Sequence, residues 1–228
     1  MPVKIQRAFG RLSIPDARDN EYPIRRTAGK RKSRTWYAKG WWGDQRTTPR
    51  CVAYAWLNWV SDCRLPRGSR APYLPPGTLY HEAQQMDDWP GTDYDGTTVR
   101  AGAAALVARG ILTEYCWART AADIVSTLLE RGPLVVGTTW KLGMSTPDAR
   151  GRIRVEGPDL GGHAYMLNAI DLPNKRLRIK NNWGPQYGQN GHAWVDLGAW
   201  LELWDREDGE ACWGGPVTVP PVRTTPAG

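Results

Sequence analysis

The sequence predicts an α+β fold, with helices in its first half and antiparallel strands in its second. Three observations carry this expectation. An apolar run at 52–60, interrupted only by Asn58, follows the start signal Thr48-Pro49. Two more helix signals lie at 99–109 and from Thr120 onward. After residue 133 the pattern changes to short Val- and Ile-rich or alternating runs, separated by Gly, Pro, Asn and Asp turns.

Taken in order, residues 1–35 hold Pro2, Pro15 and Pro23, which discourage helix, and read as an extended, solvated arm. Aromatics at 36–42 lead to the first helix. Thr48 is a good N-cap, Pro49 at the first helical position loses only an amide that would stay unpaired, and Cys51 falls in the first turn. That helix ends near Asp62 or Cys63, and a loop rich in Pro and Gly follows to residue 77. A short polar helix is expected over 79–88, stopped by Trp89-Pro90-Gly91, then a helix over 99–109 with Gly110 as its C-terminal stop. Thr120 and Asp123 form a capping box for a helix to Arg131. Strands are expected at 134–138, 152–156, 163–170, 176–180, 192–196 and 210–213, with a short helix at 197–206. The expected domains are the arm (1–35), a body (36–219) with a helical lobe to about 132 and a β lobe after it, and an irregular tail (220–228).

At 228 residues the chain can bury a sizeable core, and it holds 13 Trp and 9 Tyr against one Phe. No run of about 18 apolar residues is present and the N-terminus lacks the apolar stretch of a signal peptide, so neither a membrane span nor export is expected. Four scattered cysteines form neither a disulfide framework nor a zinc pattern, which points to a reducing, cytoplasmic setting and to no metal or other cofactor. The net charge of +7 resides in residues 1–35, where ten Lys and Arg meet three acids; the remainder is balanced. Such an arm suits an acidic partner or nucleic acid, although nothing in it interleaves aromatics as a nucleic-acid module does.

Cys51 is the candidate nucleophile, because unpaired amides and the positive end of the dipole at a helix start favour thiolate over thiol. The alternative is an inert core cysteine. A thiolate that attacks carbonyls needs a base, a group to orient that base, and donors for the oxyanion. Of the three histidines, His81 reads as a surface residue and His192 as a half-exposed strand residue. His163 opens the most apolar strand after Leu160-Gly161-Gly162, whose small residues leave its ring open on one side. Asn181, 18 residues later, ends a strand that would run antiparallel to that of His163, where its amide oxygen could hold the imidazole.

With these residues in view, the chain resembles papain-family cysteine peptidases, in the manner of compact bacterial or phage members. Gln45 stands six residues before Cys51, His163-Ala164 opens a strand, and Lys180-Asn181-Asn182-Trp183-Gly184 with Gly188-Gln189-Asn190-Gly191 resembles the family's asparagine block, Asn182 replacing Ser. The resemblance implies a two-lobed papain-like fold with a cleft between the lobes. It implies Cys51 as nucleophile, His163 as acid and base, Asn181 as orienting partner and Gln45 as oxyanion donor. Trp183 would cover the histidine, and Gly96, Gly162 and Trp183 would meet an extended peptide substrate. Val52 and Thr48 depart from the family's Trp and Cys, so its usual disulfide is absent. The family's long inhibitory propeptide is also expected to be absent. The implied function is hydrolysis of peptide bonds by a monomer, cytoplasmic or carried in a virion. A thiol amidase or transferase acting on cell-wall peptide or isopeptide bonds, and a catalytically idle binding or structural protein, stay open.

Overall fold

The computed structural model describes residues 7–36, 43–63, 73–91 and 93–217. In chain order its elements are β1 (Ser33–Thr35), α1 (Cys51–Asp62), α2 (Pro76–Gln84), α3 (Val99–Ala108), β2 (Tyr115–Trp117), α4 (Ala121–Glu130), β3 (Leu134–Lys141), β4 (Asp159–Asp171), β5 (Arg176–Lys180), β6 (His192–Asp196), α5 (Leu197–Arg206) and β7 (Glu210–Gly214). All strand pairs are antiparallel, in the order β2-β7-β3-β4-β5-β6, and β1 continues the β3 edge of β4 beyond the end of β3.

The period-2 alternation of β3 and β4 divides the interior in two. Tyr165 and Leu167, with Leu134, Val136 and Trp140, face one core that α4 and α5 complete through Ile124, Leu128, Trp200 and Leu203. Ala164 and Met166, with Val135, face a second core built on Val52, Trp56 and Trp59 of α1 and Ala103 and Leu106 of α3. The helical layer thus seals one face of the sheet, and the start of α1 meets the early part of β4. Thr120 and Asp123 form the expected reciprocal capping box, and Gly110 turns α3 off in a left-handed conformation at φ 67°.

Four expectations need correction. Thr48 does not cap α1. Its N–H and hydroxyl both donate to the Gln45 carbonyl (2.9 and 2.7 Å), forming a tight turn, and α1 starts at Cys51 with no side-chain cap. Residues 152–156 form no strand; Arg152 makes one isolated bridge to Trp194, and Gly143 takes the backbone bonds of residues 154 and 156. His192 is buried rather than half-exposed, packed beside the Asn168 amide (3.2 Å). The described part of the arm, residues 7–35, departs from a solvated extension at its start and its end, while residues 25–33 are exposed as expected. It runs through the cleft, forms a short 3-10 turn at Ala17–Glu21 and ends as β1 in the sheet. Because β1 and β2 join the same sheet, the lobes share a continuous backbone framework. The expectations for 37–42, 64–72 and 220–228 lie outside the described residues.

Candidate active site

α1 opens with Cys51 itself, and no acidic side chain lies in its first turn. The positive end of the helix therefore acts on the thiol unopposed. Burial is the larger influence and pushes the thiol pKa up, while the backbone amides of Ala164, Gly10 and Val52 act in the opposite direction. Cys51 is fully buried and, like Cys63, Cys116 and Cys212, is a free thiol.

His163 lies on β4, and Asn181 follows β5 directly, so the antiparallel pairing brings their side chains together at 2.9 Å. The Asn181 Oδ1 also accepts the Asn182 N–H at 2.8 Å. That second bond identifies the atom as oxygen and makes the His163 Nε2–H the donor. The lone pair of Nδ1 is then left buried with no hydrogen-bond partner, which is the arrangement a base needs. Aromatic rings enclose the imidazole: Trp140 at 4.9 Å and 80°, Trp183 at 5.3 Å and 35°, and Tyr165 at 5.8 Å. This burial pulls the His163 pKa down to about 4, with the Asn181 bond working against it.

Asn182, read from the sequence only as a replacement, holds the pieces together. Its Nδ2 donates to the carbonyls of Cys51 (3.0 Å) and Ala164 (2.7 Å), and its Oδ1 accepts from Asn58 Nδ2 (3.1 Å). One amide thus links the nucleophile's helix to the histidine's strand. Its carbonyl accepts the Gln45 N–H at 2.8 Å, so the Gln45 loop is set by the same residue. Just before it, Lys180 is buried against Asp62 at the last residue of α1 (2.9 Å), a second tie between helix and sheet.

Residues 7–12 fill the space above these groups. Gln45 Nε2 donates to the Ala8 carbonyl and the Thr48 carbonyl, each at 3.0 Å. Phe9 sets its edge against His163 at 5.6 Å and against Trp183 at 6.3 Å. Arg7 pairs with Asp44 and lies over the Trp183 ring. Arg11 makes an isolated parallel bridge to Thr97: the Thr97 N–H donates to Gly10 O (2.9 Å) and the Leu12 N–H to Thr97 O (3.0 Å), while the Arg11 N–H donates to Gly162 O (3.0 Å). Gly10 is closed in so tightly that an added Cβ would lie 1.9 Å from the Pro49 carbonyl. Cys51, His163 and Asn181 are 0% exposed and Gln45 is 1% exposed as a result.

Gly96 has a different place from the one expected. Its N–H donates to the Tyr80 hydroxyl and its carbonyl accepts from Gln84, so pairing with a neighbouring chain falls to Thr97. Its φ of 110° and the Gly10 carbonyl, 2.5 Å from where a Cβ would sit, require glycine there. Gly162 is half-buried, pairs with Thr139 of β3 and gives its carbonyl to the Arg11 N–H, and the Trp183 ring lies 5.3 Å from that of His163. Phe9, Gly10 and Arg11 belong to no motif in the sequence. The chain's one Phe beside a Gly in a charged arm was the available signal.

No family model and no curated protein matches the chain. Among solved structures it is similar to xylellain, a cysteine protease from Xylella fastidiosa, with a TM-score of 0.75 and 16% identity over 93% of this chain and 98% of that one. It is also similar to procathepsin B S9 from Trypanosoma congolense (TM-score 0.70, 14% identity, 92% and 87% covered). A third is the bromelain protease from Ananas comosus bound to the inhibitor E64 (TM-score 0.59, 13% identity, 82% and 100% covered).

Proposed function

The chain has the fold of papain-like cysteine peptidases, and on that premise we propose that it hydrolyses peptide bonds with Cys51 and is latent while residues 7–12 occupy its cleft. The observation that carries the reading is the His163 pair: Nε2–H donates to Asn181, and Nδ1 is left with a free lone pair. In the working site His163 takes the Cys51 proton, and the thiolate adds to the carbonyl carbon of the substrate. The oxyanion is held by Gln45 Nε2 and the Cys51 N–H. His163 gives its proton to the leaving amine as the C–N bond breaks, leaving an acyl-thioester. Water, deprotonated by His163, then adds to the thioester and releases the acid and the thiolate.

Residues 7–12 fit the role of an occupant. They take up the oxyanion donor, since the Ala8 carbonyl accepts from Gln45 Nε2 at 3.0 Å. Their burial of both groups favours the neutral thiol and neutral imidazole, the idle form of the pair.

The test is full-length Gly10→Val, whose added carbons collide with the Pro49 carbonyl and lift the segment. Iodoacetamide at neutral pH should alkylate Cys51 in this variant about tenfold faster or more than in the natural chain. Cys63, Cys116 and Cys212 should react no faster than before. The variant should cleave casein-like substrates, and adding Cys51→Ala should abolish cleavage. Cleavage that survives Cys51→Ala rejects the reading; products confined to cell-wall peptides would make the chain an amidase instead.

A further inference from the structure

The pairing of β1 with β4 and of β4 with β5 lays two basic runs side by side at one end of the sheet. One is Lys30-Arg31-Lys32-Ser33-Arg34, where the arm enters β1, and the other is Lys175-Arg176-Leu177-Arg178, where β5 begins. The Leu172 N–H donates to the Lys32 carbonyl and the Lys175 N–H to the Leu172 carbonyl, each at 3.0 Å, so both runs meet at one turn. The chain neutralises only part of this charge. Arg31 pairs with Glu130, and Arg176 pairs with Asp171, which also accepts from Asn174. Asp196 stands opposite Arg176 on β6, but its carboxylate caps α5 by accepting the Ala199 N–H. Lys30, Lys32, Arg34 and Lys175 have no ion pair among the described residues, and the three lysines are exposed.

The arm itself interleaves no aromatics, but the fold brings them in. The Arg34 guanidinium lies 4.5 Å from the centre of the Trp36 ring, and those of Arg176 and Arg178 lie 4.1 and 5.8 Å from the centre of Trp194. An open groove whose walls include Ser33, Arg34, Thr35, Asp171, Arg176 and Trp194 joins the two sets. Ammonium groups and hydroxyls beside stacked guanidinium planes suit a strand of phosphates that carries flat bases. A lipid surface fits less well. The exposed large apolar side chains among the described residues, Tyr22, Tyr73, Met86, Trp89, Leu142 and Leu160, all lie outside the two runs. An acidic peptide meets the ammonium groups but leaves the stacked faces unused.

We propose that this edge of the sheet binds single-stranded nucleic acid, with phosphates on Lys30, Lys32, Arg34 and Lys175 and bases against the stack of Arg176 and Trp194. The strand from His163 to Asp171 sets the groove about 25 Å from the cleft, so an occupant leaves the cleft open. Binding at the groove does not depend on chemistry at Cys51.

The test is fluorescence anisotropy of a labelled oligo(dT) of about 20 residues, titrated with the full chain. Affinity should fall about 50-fold between about 50 and 200 mM salt, as four phosphate contacts require. Lys32→Gln with Lys175→Gln should weaken binding about tenfold or more at the lower salt and flatten the logarithmic salt slope by about 1.4. Arg109→Gln with Arg206→Gln makes the same change of net charge at the ends of α3 and α5, and it should alter binding by less than about twofold. All four side chains are on the surface, so neither double variant threatens the fold. An abasic strand of equal length keeps the phosphates and lacks the bases, and it should bind at least about fivefold more weakly. Equal effects of the two double variants overturn the proposal, as does equal or tighter binding of the abasic strand or of a duplex of the same length. Tighter binding of polyglutamate or of phosphatidylserine vesicles than of oligo(dT) overturns it in favour of an acidic protein or a membrane.

Discussion

Replacing Asn182 by alanine would strand three buried groups at once: the extra bonds to the Cys51 and Ala164 carbonyls and the Asn58 amide. A buried polar group deprived of its partner costs about 1–3 kcal/mol, and the Cys51 carbonyl also faces its own helix. Asn182→Ala is therefore expected to lower stability by about 2–4 kcal/mol in urea unfolding. The catalytic candidates were legible because a thiol at a helix start, a histidine opening a strand and an asparagine 18 residues on are chemically conspicuous. Asn182 was visible but not interpretable. Its value lies in which carbonyls it reaches, and these come from α1 and β4, 131 and 18 residues away.

At the scale of elements, the site depends on holding the start of α1 against β4 and β5. Lys180 and Asp62 do this from the far end of the helix, both side chains 0% exposed. Removing one member leaves a buried charge, so Asp62→Ala should destabilise the fold by about 3–5 kcal/mol. The double variant Asp62→Leu with Lys180→Met should recover most of that loss, because two apolar side chains leave no charge to compensate. Denaturant midpoints of the three variants check this, and a double variant no more stable than Asp62→Ala would reject the account. Elements with strong local signals match expectation closely: β5, β6 and α5 have the expected limits, and α4 has its capping box. The three-residue strands β1 and β2 are too short for periodicity to register and exist through their pairing with β4 and β7.

The molecule as a whole uses its basic arm on itself. Arg7, Arg11, Arg18, Arg26 and Arg31 pair with Asp44, Glu210, Asp16, Asp123 and Glu130 respectively, so much of the arm's charge is met within the chain. The arm also buries His163, and this gives stability a pH dependence. The folded-state pKa values of about 4 for His163 and about 3 for His192 both lie below the usual 6.5. The unfolded chain thus binds more protons in that window, and stability is lost as pH falls through it. The Tm should decline from pH 6.5 toward pH 4, because the two histidines together outweigh Asp19, which burial raises to about 6 and which acts in the opposite sense, and the decline should be less steep in Gly10→Val, where Phe9 no longer covers His163. A Tm unchanged over that range would contradict the burial described. By itself the sequence determined the five helices, the helix that presents Cys51, and the strand pair that joins His163 to Asn181, but neither β1 nor β2. Each follows from caps, periodicity or motif spacing within short stretches. Only the tertiary structure decided that the cleft is filled and what fills it. The pairing of Arg11 with Glu210 spans 199 residues and depends on the path of an arm whose composition reads as solvated. No local pattern encodes such a contact, because its energy comes from burial that exists only once the sheet and helices have assembled.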